Sequence, residues 1–219
     1  MREQGLRDRK KQETRDRLAD AAARLFAEHG YDAVAVVDVA RAADVSDQTV
    51  YNYFPAKHEL VLDRADRIRE RYGRAVRERA TDRTPAAALR ELVDEDIARY
   101  RAVDLTIARG EFPTQTLRSA ALRRYALEAR EGQVEEITAA LLATDALLHP
   151  VVVRAHAAAL VSVIQSISDM IGARIHDGVV TDAAATEMTE AATAAFDELD
   201  AAFSDLRDRA GRPRTSWKD

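Results

Sequence analysis

Apolar positions recur at helical spacing along nearly the whole of this chain. Leu18, Ala21, Ala22, Leu25 and Phe26 fall at i, i+3, i+4, i+7 and i+8, which places them on one helix face. The pattern predicts a helix over residues 14–29, with Thr14 as its cap and Gly30 in the left-handed geometry that closes a C-terminus. A short helix is expected over 36–43, with Val36, Val39, Ala40 and Ala43 inward. A tight turn follows, then Ser46 as N-cap of a third helix over 47–53. Pro55 stops that helix, because proline disfavours helical geometry at the residue before it.

A longer helix is predicted over 56–79, with Val61, Ala65, Ile68, Tyr72 and Val76 as its stripe. Its remaining faces are rich in arginine, which reads as a solvated surface with Glu/Arg pairs. Thr84 and Pro85 form a cap and a first-turn proline. They open a helix to about residue 108, with Leu89, Leu92, Val93, Ile97, Tyr100 and Ile107 inward. One or two helices span 114–142, another 150–178, and a last one 182–206. Residues 1–12 and 207–219 are expected to be disordered, with the single tryptophan, Trp217, in the second segment.

The last two helices carry seams. Val153, Ala157, Leu160, Ile164, Ile167 and Ile171 step by four and three, as do Met188, Ala192, Ala195, Leu199, Ala202 and Leu206. Phe196 and Phe203 widen the second. Such seams pack helix bundles. The apolar surplus predicts a homodimer through these two helices, against the alternative of a purely intramolecular hairpin.

Composition narrows the class. Of 219 residues 47% are hydrophobic, with only 8 glycines and 5 prolines. An all-β chain needs more turn residues, so the expectation is an all-α fold. There is no cysteine, which excludes disulfides and thiolate metal sites. The charged N-terminal segment lacks the apolar run of a signal peptide. The apolar run at 157–161 is too short to span a bilayer. A cytoplasmic protein with no membrane partner is expected.

Charge is unevenly distributed. The net charge is −5 overall. Residues 1–83 hold 18 Lys/Arg and 16 Asp/Glu, a net of +2, and the remainder holds 15 and 22, a net of −7. Arg7, Arg9, Lys10, Lys11, Arg15 and Arg17 concentrate positive charge, either as a solvated terminus or as an arm facing DNA. Nucleotide-phosphate loops, HExxH and GxSxG are missing. His149 and His156 lie seven apart without a third ligand, so no metal site is expected. Asp94, Glu95 and Asp96 read as a solvated acidic face. No catalytic residues and no cofactor are predicted.

Residues 36–54 have the proportions of a helix-turn-helix. Val39, Ala40, Val45, Val50 and Phe54 are expected to hold the pair together. Ser46, Asp47, Gln48, Thr49, Asn52 and Tyr53 are hydrogen-bonding groups suited to phosphates or base edges. Here the stretches AAARLFAEHGYDA, VDVARAADVS and TVYNYFPAKHEL, in that order, resemble the DNA-binding segment of TetR-family (tetracycline-repressor-like) transcriptional regulators. The resemblance covers about residues 10–62.

That resemblance implies an N-terminal helix-turn-helix domain, set here at 1–55, and a helical ligand-binding and dimerisation domain at 56–206, with 207–219 as the tail. It also implies a homodimer that represses transcription and leaves a palindromic double-stranded operator when a small molecule binds. Gln48, Thr49, Tyr51, Asn52 and Tyr53 then lie on the recognition helix, Tyr51 touches the DNA backbone and Lys57 meets a phosphate. Tyr100, Tyr125, His156, Gln165 and Met170 are candidate effector contacts. The sequence departs from the family pattern at Asp44, where glycine is usual, and at Ala35, where a capping threonine is usual. It departs also at Val37, a frequently polar position, and Asp47 brings a carboxylate toward DNA. The alternative is a helical enzyme or small-molecule carrier whose N-terminus only resembles the motif.

Overall fold

The computed structural model describes residues 2–62 and 65–211. Among them the regular structure is entirely helical: α1 (Arg2–His29), α2 (Val36–Ala42), α3 (Asp47–Tyr53), α4 (Glu59–Leu62), α5 (Ala65–Arg77), α6 (Pro85–Tyr100), α7 (Leu105–Ala108), α8 (Phe112–Arg118), α9 (Ala120–Thr144), α10 (Pro150–Asp177) and α11 (Asp182–Ala210). The chain divides into two compact units. One comprises residues 1–67, 100–128 and 168–181, and the other 68–99, 129–167 and 182–219. The first therefore extends well past residue 55 and draws in segments from later in the chain.

Several boundaries differ from expectation. α1 begins at Arg2, so residues 2–12 are helical where disorder was expected. Their Gln, Glu, Lys and Arg content favours helix, and pairs one turn apart add to it: Arg9 with Glu13 at 3.6 Å, and Gln12 with Asp16 at 2.8 Å. Thr14 is consequently an interior residue whose hydroxyl donates to the Lys10 carbonyl, and it caps nothing. Gly30, at φ 84°, closes α1 as predicted, its N–H donating to the Phe26 carbonyl at 2.9 Å. The helix expected from residue 56 starts at Glu59, and its continuity to α5 rests on residues 63 and 64, which lie outside the described set. Asp104, whose carboxylate accepts from the Thr106 N–H, caps a separate α7. The expected disordered tail is helical through Ala210, and 212–219, with Trp217, lie outside the described residues.

In the first unit Leu18, Ala22, Phe26, Val34, Val39, Ala40, Val50, Phe54, Leu60, Val61 and Leu122 form a single buried cluster. α1 packs against α2, α4 and α7. Gly110 approaches α1 so closely that a Cβ there would run into the Ala23 carbonyl.

In the second unit the α10 seam is buried at Val153, Ala157, Leu160, Ile164 and Ile167. On α11 the buried line runs through Ala185, Met188, Ala192, Phe196 and Phe203. Ala195, Leu199 and Leu206 are only half-buried and Ala202 is exposed. The seam read from spacing is thus rotated, because the phenylalanines bury more apolar area than the alanines and take the inner face. α10 is the one described helix long and apolar enough, by length and composition, to cross a membrane, and core helices share that property.

The arginines of this unit are less solvated than their spacing suggested. Arg79 pairs with Asp145, both side chains almost fully buried. Arg77 meets Glu136 at 2.8 Å, and Arg71 bridges Glu95 and Asp96. The acidic run on α6 is therefore partly committed to α5.

Candidate nucleic-acid interface

The geometry of α2 and α3 follows from a few local choices. Ala35 has no side chain to cap α2, but the Asp38 carboxylate reaches back to accept the Ala35 N–H at 2.9 Å. Half of a capping box thus survives the missing threonine. Asp44 adopts φ 54° in the turn, a conformation that aspartate tolerates better than most residues. The Val45 N–H then closes onto the Ala40 carbonyl at 3.0 Å. Ser46 Oγ accepts the Thr49 N–H at 3.1 Å and contacts Thr49 Oγ1 at 2.9 Å. Ser46 is therefore the N-cap, as its position predicts.

The helix is fixed from behind. Val50 and Phe54 are buried against Val39 and Ala40. Arg15 on α1 donates to the Tyr53 carbonyl at 2.8 Å, and its guanidinium lies 4.4 Å from the centre of the Phe54 ring. Sequence reasoning grouped Arg15 with a charged arm and missed this role. Its one available signal was its place three residues before Leu18, on the edge of the α1 apolar stripe.

The outer face is narrower than expected. Gln48, Tyr51 and Asn52 are exposed, Tyr51 to 45%. Gln48 Nε2 donates to Asn52 Oδ1 at 3.2 Å. The Asp47 carboxylate turns onto its own helix and accepts the Gln48 N–H at 2.9 Å. There it complements the helix dipole. Thr49 is half-buried and engaged with the cap. Tyr53 is half-buried and packs on the core, so it stands apart from the exposed set in which it was expected. Val37 is 50% exposed on α2.

Lys57 lies in the turn before α4, with Nζ 4.2 Å from the centre of the Tyr31 ring. Burial lowers its pKa from the ordinary lysine value, and the nearby Asp32 carboxylate opposes the shift. His58 stacks on Tyr125, centroids 3.7 Å apart and planes 5° from parallel. Burial raises the pKa of Tyr31, with smaller contributions from Tyr125 and Asp32.

The five candidate effector contacts are divided between the units. In the first, Tyr100 is buried with its hydroxyl donating to the Val179 carbonyl, Tyr125 carries the His58 stack, and Met170 is half-buried. In the second, Gln165 is buried, accepting from Arg130 Nε at 2.8 Å and donating to Gln133 at 3.2 Å. His156 is buried there beside Phe203 at 4.9 Å, and burial lowers its pKa, partly offset by Asp200. Its Nε2 has no hydrogen-bond partner. His149 instead serves the start of α10, Nδ1 accepting the Val151 N–H at 3.3 Å. Among the described residues no group of His, Asp or Glu is arranged to hold a metal ion.

Comparison with known proteins matches residues 18–63 to the family of bacterial regulatory proteins described as tetR. The regulator TcmR of Streptomyces glaucescens is 30% identical over 150 residues, covering 64% of this chain and 66% of TcmR. The repressor KstR of Rhodococcus jostii is 39% identical over 69 residues, covering 32% of each chain. The matched stretches thus span just under two thirds of TcmR and about a third of KstR. The solved structure of the regulator FadR from Bacillus subtilis, in complex with stearoyl-CoA, shares the fold. Its TM-score is 0.55 at 19% identity, over 84% of this chain and 96% of FadR.

Proposed function

We propose, from the premise that this chain belongs to the TetR family of bacterial regulators, that it is a DNA-binding transcriptional repressor which a small molecule releases from its operator. The observation that carries the reading is α3 itself. It is a capped helix, held from behind by Val50, Phe54 and Arg15, and it turns Gln48, Tyr51 and Asn52 to solvent. A helix so fixed delivers hydrogen-bonding groups to a major groove with little ordering cost. The relatives it resembles are regulators, which favours this reading over an enzyme or carrier.

Ser46, Asp47 and Thr49 would set the start of that helix. Tyr51 and Lys57 would contact phosphates, with Tyr53 bracing them. The basic residues of α1 would add salt-dependent affinity. The incompletely buried stripe of Ala195, Leu199 and Leu206, with Ala202 exposed among them, supports a homodimer through α10 and α11, and hence a palindromic operator. FadR, solved with an acyl-CoA, supports a small-molecule effector in the helical remainder. The unpartnered Nε2 makes His156 the first of the five candidates to test, ahead of Tyr100, Tyr125, Gln165 and Met170. A cytoplasmic location follows from the function.

The test uses the DNA upstream of the protein's own gene. The wild-type chain should protect a palindrome there. Tyr51→Ala combined with Lys57→Ala should lose that protection while still unfolding cooperatively, with at most a small drop in melting temperature from the lost Lys57–Tyr31 contact. Unchanged protection by the double variant would refute the placement of the interface.

A further inference from the structure

Gln48 and Asn52 on α3 form one composite group. They stand one turn apart, both exposed, joined by the Gln48 Nε2 to Asn52 Oδ1 hydrogen bond of 3.2 Å. The bond leaves an amide oxygen on Gln48 and an amino group on Asn52 available to a partner. Exchanging oxygen and nitrogen in both amides reverses the internal bond but still leaves one acceptor and one donor. The outward signature is therefore the same in both hydrogen-bonded orientations of the pair.

Neighbouring groups are otherwise engaged. The Asp47 carboxylate accepts the Gln48 N–H, the Thr49 hydroxyl contacts Ser46, and Tyr53 packs on the core. Of the polar side chains on this short helix, the paired amides, Tyr51 and Asp47 are exposed, and Asp47 at its first turn already holds the Gln48 N–H through Oδ1. The helix cannot easily roll to change this, since Val50 and Phe54 are buried and Arg15 holds the Tyr53 carbonyl.

Resting on the regulator reading above, we propose that the Gln48–Asn52 pair selects an adenine in each operator half-site. Adenine offers N7, an acceptor, beside the N6 amino donor in the major groove. An amide acceptor and an amide donor complement that edge. Guanine presents two acceptors, N7 and O6, so the pair's oxygen would face another oxygen. Cytosine offers one donor, and thymine one acceptor and a methyl group, so each satisfies half of the pair. Because the amides already restrain one another, less rotamer freedom is lost on binding.

The experiment is selection of binding sites from randomised duplex DNA by the full-length protein and by Gln48→Ala, Asn52→Ala and the double variant. Affinities of single-base operator variants follow. For the wild type, an A·T pair should be enriched at one position in each half-site. Replacing it with G·C should weaken binding about 10- to 100-fold. Each single variant should relax that same position, and the double variant should relax it no further. Enrichment of G·C there, an A·T preference that survives both variants, or relaxation at two different positions would each overturn the proposal. If the wild type enriches no sequence, the DNA-binding reading falls with it, so the two failures are distinguishable. Both residues are exposed, so the variants should melt with the wild type, which thermal unfolding checks.

Discussion

The buried carboxamide of Gln115 accepts a hydrogen bond from the Tyr31 backbone N–H at 2.9 Å, across 84 positions of sequence. The same side chain donates to the Phe26 carbonyl at 3.0 Å and to the Arg109 carbonyl at 2.6 Å. One glutamine therefore ties the end of α1, the entry to α2 and the end of α7 together. The Ser119 hydroxyl donates to Asp32 at 2.9 Å, and the ring of Tyr31, whose backbone Gln115 holds, lies under Lys57.

Gln115→Leu would fill similar space and leave the Tyr31 N–H and the Arg109 carbonyl without that partner. Each buried unsatisfied group costs about 1–3 kcal/mol. A drop of roughly 2–4 kcal/mol in urea unfolding is expected. Gln115→Glu keeps the acceptor but sets a carboxylate against two carbonyl oxygens, so it should be no more stable than the leucine variant. Wild-type stability in both would show that the glutamine ties nothing.

Ser46→Ala removes the cap of α3. The Asp47 carboxylate still serves the Gln48 N–H, so the cost should be about 1 kcal/mol. Asp44→Gly, at φ 54°, should stabilise by about 0.5–1 kcal/mol, because the left-handed strain is relieved. Denaturant midpoints measure both, and a destabilised Asp44→Gly would contradict the backbone reading.

Gly110→Ala places a Cβ against the Ala23 carbonyl. Backbone gives way less readily than a flexible side chain, so a loss of about 2 kcal/mol or more is expected. Thermal unfolding would show it. Gly5→Ala, where a Cβ meets nothing within 4 Å, is the control and should leave the melting temperature unchanged or slightly raised.

His156 makes stability depend on pH. Burial lowers its pKa below the ordinary 6.5, so the unfolded chain takes up its proton first as pH falls. The unfolded state then binds more protons than the native one, and stability declines with falling pH. The contribution is present above about 6.5 and is lost from there down to the folded pKa. His156→Phe should flatten the stability profile between pH 7 and 5. An unaltered slope would mean that His156 is solvated.

Much of this could be read in the sequence because the information is local. The scarcity of glycine and proline pointed to the all-α class, and helical periodicity placed its elements. Gly30 and Ser46 marked an end and a start by their own backbone chemistry. The ordered stretches around AAARLF, VDVARAADVS and TVYNYF carried the family, and the buried roles of Val39, Val50 and Phe54 followed from spacing. Non-local roles were hidden. Arg15 looked like one more charge until α3 was brought beside it. Gln115 lay in a segment read only as helix, because a polar residue becomes buried only when distant backbone groups need partners. Tyr53 and the α11 seam were misplaced for a related reason. Periodicity lists the candidates for a buried face, but which of them turn inward depends on the volume that neighbouring helices must fill.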